Sequence, residues 1–251
     1  MGDWKNLLEN ADVLINLAGK SVDCRYTPKN RQEIYDSRLN STKVLQQAVD
    51  QCRSKPKVWM NASSATIYIH SETHLNTEEN GIIGDDFSMN ICKSWEQVFF
   101  KTTTEEVRKV ALRTSIVLGN NGGAFSKLKT LTKVGLGGKQ GRGNQKVSWI
   151  HIHDFCKAVE YGIDHHDLSG PVNVTAPNPL SNESFMKELR REMNIPFGLN
   201  ASAWQLEIAS AIVRTETELL LKSRNVYPDK LLKNGFEFTY PKLETALQDL
   251  V

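Results

Sequence analysis

Short apolar runs that alternate with longer helical patterns constrain this chain more than any other feature of it. In Ala11–Gly19, ADVLINLAG, residues Val13, Leu14, Ile15 and Leu17 form such a run, and it closes on Ala18-Gly19. A run of this kind predicts a strand buried on both faces of a parallel sheet. Asn30 to Asp50 then places Ile34, Leu39, Val44, Leu45 and Val49 on one side of a helix. Lys57–Ala62 reads as the next strand and runs into the Ser/Thr-rich turn Ser63–Thr66. A helix over Ser88–Phe100, a strand over Val107–Leu118 and a Gly-rich loop over Gly135–Gly143 follow. Ser148–Ile152 is predicted as a strand, Asp154–Asp164 as its helix and Pro171–Thr175 as another short strand. From Asn182 the pattern is mostly helical and ends in the periodic Leu243–Val251. Strand and helix in alternation imply an α/β chain, a parallel sheet with helices on both faces.

Charge and composition narrow the partners. With 31 Lys+Arg against 29 Asp+Glu, no net field draws the chain to nucleic acid or to an anionic membrane. The basic stretch Lys127–Lys133 reads as a solvated helix face. No apolar run approaches the ~20 residues of a membrane span, and the opening Met-Gly-Asp-Trp-Lys lacks the apolar core of a signal peptide. Cys24, Cys52, Cys92 and Cys156 stand far apart with no CxxC pair, so four reduced thiols in an intracellular, cytoplasmic protein are expected. The partner expected is a small-molecule substrate, with no nucleic acid and no membrane.

Three segments invite a chemical reading. Gly135-Leu136-Gly137-Gly138 resembles a phosphate loop, but a dinucleotide fingerprint needs a strand directly before it and a helix directly after. Here it reads as a flexible substrate-side loop. His151 and His153, two apart on the expected strand, would share a face beside Asp154, yet spacing suggests no third ligand, and no metal is assigned. Ser63 and Ser64 stand at the carboxyl end of a strand, where open α/β sheets hold their ligands. Spacing from Trp59 favours Ser63 as a catalytic hydroxyl, whereas the run Ser64-Ala65-Thr66-Ile67-Tyr68 resembles the SATVY turn of sugar epimerases, a resemblance that implies Ser64. A Ser-rich turn that only satisfies backbone groups is the alternative.

An ordered set of motifs carries a resemblance. It comprises Asn16-Leu17-Ala18-Gly19, Asp36-Ser37-Arg38 leading to Thr42, Leu112-Arg113-Thr114 with Val117-Leu118-Gly119, and Gly135-Leu136-Gly137-Gly138. Ser148 to Asp154, SWIHIHD, Asn173 to Pro177, NVTAP, Val226-Tyr227-Pro228 and Asn234-Gly235-Phe236 complete it. In that order they resemble the extended, epimerase-like short-chain dehydrogenase/reductases, the family 39U member 1 and YfcH-like group. The resemblance implies a Rossmann-like doubly wound parallel sheet over residues 1–165 and a small, mainly helical substrate-side domain over 166–251. The family opens with a strand, a GxxGxxG turn and a helix that hold the cofactor pyrophosphate. This sequence starts just before what resembles the fourth strand, so the expectation is a chain lacking the N-terminal half of that sheet. It implies weak NADP(H) binding, and a first strand whose exposed edge pairs with another copy in a homo-oligomer.

The same resemblance implies the site. Leu17, Ala18, Glu33, Arg38 and Asp86 match cofactor-contact positions, and the cofactor implied is NADP, with NAD as the alternative. The Tyr and Lys that short-chain dehydrogenases place four apart on a helix fall at Ser88 and Cys92, leaving Ser63 or Ser64 as the catalytic hydroxyl. The function implied is a nicotinamide-dependent oxidoreductase or epimerase acting on a small hydroxylated or sugar-nucleotide substrate. The competing reading is a cofactor-sensing or scaffold protein that kept the fold and lost the Tyr/Lys chemistry.

Overall fold

In the computed structural model, residues 2–101, 106–120, 122–207 and 221–251 are described. A short 3-10 turn, Asp3–Leu8, leads into strand β1, Val13–Asn16. Helix α1, Pro28–Gln51, starts earlier than the periodicity suggests, because Thr27 accepts a hydrogen bond from Asn30 N and Pro28 takes the first turn. Strand β2, Val58–Ser64, then helix α2, Phe87–Phe100, and strand β3, Arg108–Thr114, complete the first part of the sheet. After them come β4, Ile116–Leu118, α3, Gly123–Lys133, β5, Lys146–Val147, β6, Trp149–His151, and α4, Ile152–Asp164. The chain continues through β7, Gly170–Val174, β8, Leu180–Ser181, and α5, Asn182–Glu192. Two further helices, α6, Asp229–Lys233, and α7, Leu243–Leu250, lie near the end.

The main sheet is four-stranded in the order β1-β2-β3-β7, and every pairing in it is parallel. Alternation along β2 divides the core. Trp59 joins Leu14, Ala48, Val49, Phe99 and Ala111 beneath α1 and α2. Val58 and Met60 face the other way, with Val110, Leu112, Ala158, Val172, Leu231 and Phe236 beneath α4 and α6. Burying each of these large side chains contributes roughly 1.5–3 kcal/mol. A third cluster gathers α3, α5 and α7 around Trp149, with Phe125, Phe185, Leu189 and Leu247.

The structure corrects several expectations. The first strand is not covered on both faces: Leu14 and Asn16 are buried, but Ile15 is 41% exposed, and Leu17 just beyond the strand 59%, because on that face only Val13 reaches the cluster beneath α4 and α6. The expected strand over Val107–Leu118 is two strands. β3 stays in the main sheet, whereas β4 pairs with β6, and the break falls at Ser115, whose N–H donates to Val174 O. A division at residue 165 does not follow the hydrogen bonding, since β7 supplies the fourth strand of the main sheet and α6 packs on it. His151 and His153 do not share a strand face. The strand ends at His151, whose Nδ1 caps α4 by accepting from His153 N, and His151 is buried while His153 is exposed. Nor is the Gly-rich loop free. Leu199 N donates to Gly135 O, Gly138 N to Leu199 O and Gly141 N to Ala201 O. A Cβ on Gly138 would stand 2.3 Å from Leu199 O, so this pairing requires glycine there. Of the apolar positions Trp204, Leu206, Ile208, Ile212 and Val213, whose spacing predicts one helix face, the last three lie outside the described residues, and Trp204 is exposed.

Candidate functional site

The carboxyl ends of β1 and β2 meet in a buried polar knot. Asn16 Nδ2 donates to Asn61 Oδ1 at 2.7 Å, and Asn16 Oδ1 accepts from Ala18 N at 3.1 Å. The second bond folds residues 16–18 into an Asx turn. Thr42 Oγ1 donates to Arg38 O and accepts from Trp95 Nε1 at 2.9 Å, tying α1 to α2 beside this knot. Such groups are inexpensive to bury only because each has a partner.

Around this turn stand the residues assigned to the cofactor. Leu17 and Ala18 are exposed at its tip, where a planar ring can lie against them. Glu33 is ion-paired to Lys20, and the bond from Lys20 holds its carboxyl below the usual range. The Arg38 guanidinium donates to Lys20 O at 2.9 Å and Ile34 O at 3.2 Å, and lies 5.1 Å from the Trp95 ring. Burial lowers its pKa. Glu33 and Arg38 therefore clamp Lys20 from α1 and set the shape of the turn, and each still borders the surface above it.

Asp86 caps α2 by accepting from Met89 N at 2.9 Å, and it also binds Lys222 and His70 Nε2, the latter at 3.3 Å. Burial pushes this carboxyl up, but the bonds from Lys222, Met89 and His70 outweigh it and its pKa is lowered. His70 Nδ1 in turn accepts from Arg224 at 2.6 Å. Burial, then the Arg224 charge, lowers the His70 pKa. These contacts fasten the segment at 222–224 to the mouth of the site.

Ser63 and Ser64 differ in what their hydroxyls can do. Ser63 is 7% exposed and donates to Glu96 Oε1 at 2.6 Å. Glu96 also receives Arg113 as a fork, at 2.8 Å on Oε1 and 2.7 Å on Oε2. Arg113 reaches Tyr68 OH at 2.7 Å, and Tyr68 donates to Asn173 Oδ1 at 2.8 Å. Burial raises Tyr68, which keeps it a neutral phenol. A Cβ on Gly81 would lie 2.2 Å from the Tyr68 ring, so only glycine admits that fully buried ring. The Ser64 hydroxyl is half-buried, accepts from Thr66 N at 3.2 Å and lies 3.0 Å from Thr66 Oγ1. Its one other acceptor, Thr114 O, is 3.5 Å away, and either hydroxyl of the Thr66 pair can be the donor, so a ligand can compete for the Ser64 proton. The Ser63 proton faces a carboxylate and is held there.

At the position matching the family's Tyr, Ser88 is 7% exposed and its Oγ makes no hydrogen bond among the described residues. At the Lys position, Cys92 is buried and its thiol is pushed up to about 12 by burial and by Glu96. Neither group moves a proton near neutral pH. An orphaned hydroxyl fits a polar ligand group that would complete it.

The central partner that sequence reasoning missed is Glu96. A signal was available: Arg113 sits inside the apolar run Val107–Leu118, and Glu96 on the apolar face of Ser88–Phe100. Two opposite charges on two faces destined for the core should find each other.

Comparison with known proteins bears on the family and the fold. Residues 202–250 match the family described as "Domain of unknown function (DUF1731)". The chain is 34% identical to epimerase family protein YfhF of Bacillus subtilis over 244 residues, 97% of this chain and 79% of that protein. It is 34% identical to epimerase family protein SA0724 of Staphylococcus aureus, over 99% of this chain and 82% of the relative. Among solved structures, human epimerase family protein SDR39U1 (isoform 2) with NADPH superposes with a TM-score of 0.89 at 26% identity, covering 98% of this chain and 85% of that one. A nucleoside-diphosphate sugar epimerase from Corynebacterium glutamicum superposes at 0.77 with 29% identity, over 97% of this chain and 46% of that one. The parallel sheet, the Asn16–Gly19 turn and the identity sustained along almost the whole chain place it in the epimerase family, on the extended short-chain dehydrogenase fold.

Proposed function

We propose that this chain is a nicotinamide-dependent oxidoreductase or epimerase that uses NADP(H) and acts on a small hydroxylated or sugar-nucleotide substrate. The observation that carries the reading is the half-buried Ser64 hydroxyl. It stands at the carboxyl end of a central parallel strand, its proton held only by Thr66 Oγ1 at 3.0 Å and a long contact to Thr114 O at 3.5 Å, either of which a substrate oxygen can replace. The NADPH in the human relative and the likeness to the nucleoside-diphosphate sugar epimerase of Corynebacterium glutamicum support it. A bound nicotinamide supplies or accepts the hydride. In this reading Leu17 and Ala18 lie against the cofactor, and Glu33 and Arg38 hold the turn that presents them. Asp86 and the orphaned Ser88 hydroxyl offer polar contacts, and Ser64 donates to the reacting oxygen of the substrate.

A second reading, a cofactor-binding scaffold without turnover, is favoured by Ser88 and Cys92 at the Tyr and Lys positions. Calorimetric titration with NADPH and NADH tests what the two share. Saturable binding is expected, with NADPH preferred. No saturable binding at millimolar cofactor overturns both readings. A kinetic screen on hydroxyl and sugar-nucleotide substrates then separates them.

A further inference from the structure

At the mouth of the site, the His70 ring is held between a carboxylate and a guanidinium. We propose that His70 is a pH-sensitive latch: as a neutral ring it holds the Arg224 side chain, and as an imidazolium it releases it. The latch works on the wall of the site and does not depend on which reaction the site carries out.

The hydrogen bonding determines the neutral form. Arg224 Nη1 lies 2.6 Å from His70 Nδ1. A guanidinium only donates and keeps its charge at ordinary pH, so Nδ1 carries a lone pair and the ring proton sits on Nε2. There it faces Asp86 Oδ2 at 3.3 Å, the oxygen that also binds Lys222. Protonation puts a hydrogen on Nδ1. The acceptor that held Arg224 is then gone, and two cations stand against each other. The new N–H faces Ser223 O at 3.4 Å, and Arg224 Nη1 reaches that same carbonyl at 3.3 Å. The imidazolium therefore competes with Arg224 for this second acceptor as well.

What moves is the side chain, not the segment that carries it. Arg224 N donates to Lys146 O at 2.7 Å, and Ser148 Oγ donates to Arg224 O at 2.8 Å. Ser223 Oγ accepts from Lys146 N and donates to Ser71 O. None of these bonds uses a group that titrates near neutrality. The guanidinium matters to the site because its charge reaches the Cys92 thiol, at the position matching the family's Lys. Releasing it exchanges a permanent positive charge at that spot for a titratable one at His70.

Among the described residues, the charged groups that face His70 are Asp86, Lys222 and Arg224. Glu72, two positions on, turns to Asn144 at 2.7 Å. Burial opposes the imidazolium most, followed by Arg224 and, more weakly, Lys222, while Ser223 O and Asp86 favour it. The balance keeps the ring neutral to below its ordinary 6.5, so the latch is closed at neutral pH and opens in mild acid.

NMR of the ring and guanidinium nitrogens of the 251-residue chain, without cofactor or substrate, tests this. The range is about pH 7.5 to about 5, either side of the ordinary histidine value, with the amide spectrum confirming the fold at each step. His70 should be the Nε2–H tautomer at the upper end, and the Arg224 Nε–H signal should shift with the His70 midpoint. Arg224→Gln should raise that midpoint. His70→Asn keeps an acceptor but does not titrate, so in it the Arg224 signal should stay flat. An Nδ1–H tautomer at the upper end overturns the proposal, as does an Arg224 signal that does not follow His70. So does a midpoint that Arg224→Gln leaves unchanged or lowers, or an Arg224 shift that persists in His70→Asn. The first two readouts need no variant, and a chain that binds no nicotinamide still decides all four.

Discussion

Ser63 gives its hydroxyl proton to Glu96, 2.6 Å away, in a carboxylate that Arg113 already grips with two nitrogens. The bond turns one of two adjacent serines into part of the interior and leaves Ser64 to face the site. In a turnover assay Ser64→Ala should lower rate by about a hundred- to thousandfold, the roughly 2.7–4 kcal/mol that a single preorganised donor contributes. Cofactor affinity should stay within a few-fold. Ser63→Ala should chiefly lower stability. Activity retained in both variants would remove this turn from the chemistry.

The Glu96–Arg113 pair should be strongly coupled. Both side chains are at most 10% exposed, so Glu96→Gln strands a guanidinium and should cost about 3–5 kcal/mol in urea denaturation. Replacing both residues with apolar side chains of similar volume should cost less than either single change. Additive losses in that double-mutant cycle would show that the pair is not a unit.

Stability should fall with mild acid. Burial lowers both His70 and His151 from the ordinary value of 6.5. A depressed histidine resists protonation when folded, so its contribution is complete above the unfolded pKa and is lost as pH drops through about 6.5. Glu78, raised by burial, works in the opposite direction at lower pH. His151 is the more deeply buried of the two histidines, so His151→Asn, which retains a capping side chain, should flatten the urea midpoint between pH 7.5 and 5.5 (about one unit on either side of that value). An unchanged slope would contradict the assignment.

Thiol reactivity should divide by environment. Cys156 is exposed on α4, whereas Cys52 and Cys92 are buried with raised thiol pKa values, that of Cys92 to about 12. Because the thiolate is the reactive form, mass spectrometry after brief alkylation at mild alkaline pH should find Cys156 modified and Cys92 intact until denaturant is added. Early labelling of Cys92 would mean that α2 opens readily in the native state.

Local patterning decided the elements themselves. The runs around Val13, Val58 and Val110 declare strands, Asp86 and the apolar face behind it declare α2, and the ordered motifs from Asn16 to Phe236 declare the family. All of these depend on residues near each other in sequence, where side-chain period and capping chemistry act. What the chain alone could not show was which groups would meet across the fold. Arg113 and Glu96 are 17 positions apart, and Tyr68 and Asn173 are 105. Whether Ser63 or Ser64 keeps a usable proton depends on those distant partners. The same holds at Ser115, where one apolar run becomes two strands because Val174 and Trp149 arrive from later in the chain. Sequence carries the period of an element and the chemistry of its ends. The cost of burying a charge or a hydroxyl is met only by whatever packing brings beside it, and that pairing exists only in the tertiary structure.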